Sequence, residues 1–336
     1  MVGIAAMAVR TAHAWNAIAP TSICGQDGFV QTVLGPIAAS KLGFTLTHEH
    51  VVPADHAASG SRKTFSSRAI SVADAVDKLK AARDAGVDTV VDLTPAEAGR
   101  DVRFCEEISR KSGMQIVVCT GQRLFLPELK DRSTEELTEI FIREIEQGIE
   151  DTDIKAGVIK AASEFEGVRV FEESVLRAAA RAGKATGAPI ETHTNAHLRG
   201  GIKQAAIFES EGVSPLRVSL GHSDDTDDME YLIGLAKRGY TLGMDHAFWG
   251  MARGATLPWQ KRVASVKQLV DAGFVDKIFF SNDWVHGEVE RERVNPDGML
   301  FTTRKTIPYL KQLGVSEQQI RAIAVENPRR FFPKTV

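Results

Sequence analysis

The chain has 336 residues, of which 43% are hydrophobic and 25% charged, a composition that supports a large buried core and excludes a disordered chain. Its 41 basic and 44 acidic residues give a formal net charge of -3 without any Lys/Arg run, which argues against a nucleic-acid partner. No stretch reaches the ~18 apolar residues of a membrane span, and the three scattered cysteines, Cys24, Cys105 and Cys119, build neither a disulfide framework nor a zinc ribbon.

Residues 1–25 read as an extension ahead of a folded unit that spans 26–336. Val2 to Val9 is a short apolar run and Ala12-His13-Ala14 resembles a small-residue cleavage site, but the basic n-region of an export signal is missing. A flexible tail and a clipped export signal both fit, which leaves the location open between cytoplasm and periplasm. The stretch up to Ile37 is expected to pack across the bottom of the fold or wrap its side.

Eight short apolar segments then recur at 43–48, 87–93, 115–120, 157–160, 189–193, 217–222, 240–245 and 277–283, and read as strands. Amphipathic stretches lie between them. Ser71 opens a helix with Val72, Val76 and Leu79 on its apolar face and Gly86 as its stop. Ser133-Thr134-Glu135-Glu136 is a capping box, and Leu137, Ile140, Phe141 and Ile145 follow as a core-facing stripe. The tail from Ser316 to Phe332, with Pro328 near a helix start, predicts a short closing helical pair. Eight strand-helix units in one chain predict a single (β/α)8 TIM barrel, with a doubly wound open sheet as the alternative.

The polar residues that end these segments carry the chemistry. Side chains alternate faces along a strand, so His48 and His50 of Thr47-His48-Glu49-His50 point the same way and can grip one cation. His193, His222 and Asp283 end three later segments, and nitrogen plus oxygen donors suit zinc or a similar divalent ion. Lys160 ends the fourth segment. Burial lowers a lysine pKa and frees an amine able to add carbon dioxide, and the resulting carbamate is an anionic ligand that can bridge two cations. A lysine that snorkels or pairs with an acid is the alternative. Together these residues read as a two-metal hydrolytic centre at one barrel mouth, where an open sheet would scatter them. Asp224, Asp227 and Asp228 read as caps of the helix after the sixth strand.

These segments resemble the phosphotriesterase family of the amidohydrolase superfamily. The matching stretches are Gly43-Phe-Thr-Leu-Thr-His-Glu-His50, Gly99-Arg-Asp101, Ala156-Gly-Val-Ile-Lys160, Thr192-His-Thr194, Gly221-His-Ser-Asp-Asp-Thr-Asp-Asp228, Met244-Asp-His246, Ser281-Asn-Asp-Trp284 and Val294-Asn-Pro-Asp-Gly298. The resemblance implies that His48, His50 and Asp283 hold the more buried ion and His193 and His222 the more exposed one. Lys160, as N6-carboxylysine, and a hydroxide would bridge them. Zinc is the expected metal, with cobalt, manganese or iron as alternatives. The resemblance further implies that the hydroxide attacks, that Asp283 takes its proton, and that His246 and Asp225 continue the relay. A homodimer is a family-level expectation.

The implied substrate is a small-molecule ester: an organophosphate triester such as paraoxon, as for an aryldialkylphosphatase, or alternatively a lactone or aryl ester. Asp245-His246 and Ser281-Asn282-Asp283-Trp284 resemble the phosphotriesterases, whereas Thr194-Asn195-Ala196-His197 resembles the lactonases. Arg123 falls where phosphotriesterases carry Trp and lactonases Tyr. It would recognise an anion or pair with an acid such as Glu288. Phe125, Phe248, Trp249 and Trp284 are candidates for an apolar pocket wall. His13, His56, His197 and His286 lack strand-end placement.

Overall fold

A computed structural model describes residues 28–53, 67–123, 132–164 and 168–335. Phe125, His13, His56, Cys24 and the export-signal-like stretch lie outside the described residues.

The described chain opens with an antiparallel hairpin, β1 (Phe29–Thr32) and β2 (Gly35–Ala38), in which Thr32 faces Gly35. Val30 packs with Val117, Val158, Phe279 and Phe331, so the hairpin fills the end of the barrel opposite the polar strand ends. Packing across the bottom was expected from sequence, but strand pairing was not.

Eight parallel strands follow: β3 (Thr45–Glu49), β4 (Thr89–Asp92), β5 (Gln115–Gly121), β6 (Val158–Ser163), β7 (Ile190–Thr194), β8 (Val218–Leu220), β9 (Thr241–Met244) and β10 (Ile278–Phe280). Each pairs with its neighbour in sequence, as right-handed strand-helix-strand crossovers dictate. Helices α1 (Arg68–Asp84), α2 (Val102–Ser112), α3 (Thr134–Glu146), α4 (Val170–Thr186), α5 (Gly200–Ser210), α6 (Met229–Lys237) and α7 (Trp259–Asp271) connect them and cover the sheet. The fold is a (β/α)8 TIM barrel. No described helix is long and apolar enough to cross a membrane.

The barrel closes at its mouth. The chain beyond β10 runs along the end of β3, with Asp283 N donating to His48 O at 2.9 Å, His50 N to Trp284 O at 2.8 Å and His286 N to His50 O at 2.9 Å. A one-residue bulge in β3 decides which side chains point inward there. Leu46 pairs with Val90 and Glu49 with Asp92, so Leu46 and Glu49 share the outer face despite their odd spacing. His48 and His50 are thereby turned into the barrel. Glu49 stitches the closure instead, accepting from Ser281 Oγ (2.7 Å), Asn282 N (2.9 Å), Asn282 Nδ2 (2.8 Å) and Trp284 N (2.8 Å).

Local signals explain most boundaries. Ser133 and Glu136 form the capping box that opens α3, and Leu137, Phe141 and Ile145 are buried, as the spacing predicts. The first helix is a correction. It is capped by Ser67, whose side chain accepts from Ile70 N, and Ser71 is buried inside it. The exposed turn Arg68-Ala69-Ile70 carries no inward-facing period, so the pattern became readable only at Val72. After β10 the chain forms α8 (Val289–Val294), α9 (Ile307–Gln312), α10 (Glu317–Arg321) and α11 (Asn327–Phe331), the last pair being the expected closing helices. Ser316 caps α10 in a second capping box.

Candidate metal centre

The ligand-type residues meet at the C-terminal ends of the strands. His48 lies in β3 and His50 just beyond it, His193 lies in β7, and His222, His246 and Asp283 follow β8, β9 and β10 within three residues. Lys160 is a correction: it lies inside β6, which runs on through Ala161 and Ala162 to Ser163 rather than ending at the lysine, because these small residues extend the buried strand. Lys160 is only 1% exposed, which is rare for a lysine. Its backbone needs Gly121 beside it, where a Cβ would fall 1.9 Å from Lys160 O. His222 and Asp283 adopt φ of 57° and 45°, left-handed values that cost non-glycine residues roughly 1–3 kcal/mol each. The turns that aim these two side chains into the mouth are held by packing rather than by intrinsic preference.

The side chains approach one another closely in two places. His50 Nε2 lies 3.1 Å and His48 Nε2 3.6 Å from Asp283 Oδ1, while Lys160 Nζ donates to His48 Nε2 at 2.7 Å. His222 Nε2 and His193 Nδ1 face each other at 2.7 Å. The His222 ring also stacks on His246 with centroids 3.7 Å apart. His48, His50 and Asp283, and likewise His222, His246 and Asp283, bring their ligand-type atoms close enough together to hold an ion.

The far sides of three of the rings, those of His48, His50 and His222, suit ligation of a divalent cation. His48 Nδ1 and His222 Nδ1 donate to the two oxygens of one carboxylate, Asp245 Oδ2 at 2.9 Å and Oδ1 at 2.8 Å. His50 Nδ1 pairs with Thr94 Oγ1 at 2.9 Å. A ring that donates outward through Nδ1 keeps a lone pair on Nε2 turned inward, the arrangement of metal-ligating imidazoles.

Charge follows the same logic. Burial holds the imidazoles of His48, His193 and His222 well below the usual value, so they stay neutral donors. At Asp283, burial opposes ionisation but Arg291, His246 and His50 override it, and the carboxyl is held well below its usual range. Burial pushes the Lys160 amine down to about 8. The sequence-based expectation of a depressed amine rests on the same cause.

His246 links the cluster outward. Its Nε2 lies 3.0 Å from Asp283 Oδ2 and its Nδ1 3.0 Å from Asp225 Oδ2. Burial works against its charge, yet Asp225 and Asp283 raise the imidazole to about 10. Asp225 is in turn held by Arg262 of α7. Of the neighbouring acids read as caps, Asp228 does cap α6 through Tyr231 N, but Asp224 is a correction. It is buried and accepts from the backbone N–H groups of Asp245 and His246 at 3.1 and 3.0 Å.

The pocket candidates separate. Trp249 lies near His246, with ring centroids 6.2 Å apart. Trp284 is buried against His286 and Lys78 of α1, on the outer side of the barrel wall. Glu288 pairs with Arg291 at 2.7 Å, and Arg123 pairs with Glu164 at 2.7 Å rather than with Glu288. Cys105 and Cys119 are buried free thiols, pushed up by burial.

Sequence reasoning missed Asp245, Thr94, Arg262 and Arg291. Asp245 stood inside a quoted segment beside His246, and only the fold brings it to two histidines. Arg291 lies in α8 and contacts Asp283, a relationship with no sequence signal.

A TIM barrel with histidines, a buried lysine and an aspartate converging at its C-terminal mouth defines a metal-dependent hydrolase. The model of the phosphotriesterase family matches residues 28–332, and the chain belongs to that family. It is 37% identical over 322 residues to a phosphotriesterase homology protein of Mycobacterium tuberculosis, covering 91% of this chain and 98% of that one. It is 35% identical over 307 residues to an aryldialkylphosphatase of Saccharolobus solfataricus, covering 88% and 96%. A phospho-furanose lactonase of Mycoplasmopsis synoviae is 28% identical over 333 residues, covering 91% and 92%.

Proposed function

We propose that the protein hydrolyses esters at a two-cation centre held by His48, His50, Lys160, His193, His222 and Asp283, with organophosphate triesters as its substrates. The observation that carries this reading is the double engagement of Asp283. One oxygen lies among the ligand histidines, 3.1 Å from His50, and the other lies 3.0 Å from His246. When bound, two divalent cations, zinc first among them, supply Lewis-acid polarisation of the substrate oxygen and bring water acidity toward neutral pH.

The chain's own residues do the rest. Lys160, as N6-carboxylysine, would contribute an anionic oxygen donor to the cations. Asp283 would accept the proton of the attacking water; His246, doubly protonated between Asp225 and Asp283 in the metal-free protein, would be driven to its neutral form by the charge of the bound cations and then take that proton from Asp283 Oδ2 and release it toward solvent. Asp225 fixes the imidazole through Nδ1, so that Nε2 stays aimed at Asp283. Trp249 walls the mouth beside His246. The aryldialkylphosphatase relative supports the phosphotriester reading.

A second reading, hydrolysis of lactones or aryl esters, is favoured by Arg123, which offers no aromatic contact to an aryl leaving group, and by the lactonase relative. Initial rates on paraoxon, an aryl ester and an acyl homoserine lactone, with zinc or cobalt and bicarbonate supplied, decide between them. The highest kcat/KM on paraoxon is expected. A lactone or aryl ester ahead by more than tenfold, about 1.4 kcal/mol of transition-state stabilisation, makes the second reading the correct one.

A further inference from the structure

Three guanidiniums lie close to the centre, and two are spent. Arg262 holds Asp225 and the carbonyl oxygens of Asp224 (3.0 Å) and Leu257 (3.1 Å). Arg291 contacts Asp283, pairs with Glu288 and lies over the Trp249 ring at 5.1 Å. Arg123 differs. Among the described residues its guanidinium bonds only through Nε, to Glu164 Oε1 at 2.7 Å, which leaves both terminal nitrogens as an open planar fork.

That fork is both fixed and accessible. The Arg123 backbone N–H donates to Glu97 Oε1 at 2.5 Å, and the side chain is 32% exposed. Glu164 Oε1 also lies 3.6 Å from His193 Nε2, so Arg123 is one side chain removed from the ligand cluster. A cation beside a site that collects cations is repelled by them, and an anion supplied by the substrate offsets that repulsion. An arginine fork matches a carboxylate or phosphate in bidentate fashion.

We propose that Arg123 is a substrate-binding residue whose terminal nitrogens grip an anionic group, a carboxylate or a phosphate monoester, on the part of the ester that projects from the centre. This rests on the hydrolase reading and narrows its substrate class. The test uses matched pairs on the metal-loaded protein. One pair is a neutral 4-nitrophenyl ester and its ω-carboxylate counterpart; the other is a five-membered lactone with and without a side-chain phosphate. The wild type is expected to favour the anionic member roughly tenfold or more in kcat/KM, with KM for that member rising with ionic strength. R123M should abolish the preference and its salt dependence, and R123K should keep the salt dependence but lose most of the preference.

Calorimetric binding of succinate, which cannot be hydrolysed, is measured alongside. An equal anionic-to-neutral ratio in wild type and R123M, with neutral esters turned over, overturns the proposal and leaves the hydrolase reading intact. Succinate binding that depends on Arg123, with no ester turned over, supports the anion site and sinks the hydrolase reading. If R123M fails to load metal, the ratio in R123K decides. Whichever pair shows the larger preference identifies the anion.

Discussion

The Lys160 amine stands 2.7 Å from His48 Nε2 on the floor of the mouth, and both side chains are buried. Burial lowers the proton affinity of both, so in the metal-free protein this lysine costs stability. Its amine titrates near 10.5 when unfolded and near 8 when folded. Between those values the unfolded chain binds more protons, and stability rises with pH. The stability of metal-free wild type relative to Lys160→Met should therefore be lowest below about pH 8 and climb until about 10.5. Urea melts of the two proteins measure it, and a flat difference would mean that the amine keeps its proton in the fold.

With cations loaded on the proposed ligand set, the effect of that substitution on stability should change sign. Lys160→Met should bind fewer divalent ions per chain, and wild type prepared with labelled bicarbonate should give a carbamate carbon signal that the variant lacks. Two ions per chain in Lys160→Met, counted by elemental analysis, would remove the lysine from the centre.

Asp245 orients two imidazoles at once, so its loss should be felt in both subsites. Asp245→Asn keeps the shape but cannot accept from both rings equally. Affinity for divalent ions should fall roughly 10- to 100-fold, read by competition with a chelator. Unchanged affinity would reduce Asp245 to a packing role.

His246 and Asp225 should behave as one unit. His246→Asn and Asp225→Asn are each expected to lower kcat roughly 100-fold while metal content stays at the wild-type value. The double variant should be little worse than either single one. Multiplicative losses would mean that the two act independently.

Arg217 predicts a purely structural effect. Its guanidinium donates to Phe331 O (2.6 Å), Gly187 O (2.7 Å) and Pro333 O (2.9 Å), tying the C-terminal tail to the loop before β7. Arg217→Met leaves those carbonyls short of donors and should cost about 1–3 kcal/mol of stability. Thermal melting checks this, with metal content and turnover at 25 °C as the controls expected to hold.

Much of the centre was legible because strand ends are legible. A short apolar run that stops at His48, His193, His222 or Asp283 marks both the strand and the residue placed near its mouth, and the parallel barrel brings all such ends to one side, although β6 runs three residues past Lys160. The helices gave themselves away where caps and apolar stripes coincide, as at Ser133. Ser67 escaped because the turn it opens faces solvent.

The sequence by itself determined the repeating strand-helix pattern and the placing of histidines, a lysine and an aspartate toward one end of it, since local periodicity and strand-end placement are short-range properties. Only the tertiary structure decided what stands behind each donor. The β3 bulge that turns His48 inward, the Asp245 carboxylate shared by His48 and His222, and the contact of Arg291 with Asp283 join residues far apart in the chain. The pairing of Arg123 with Glu164 rather than Glu288 is of the same kind. An ion pair between loops depends on which loops the closed barrel makes neighbours, and no local pattern encodes that distance.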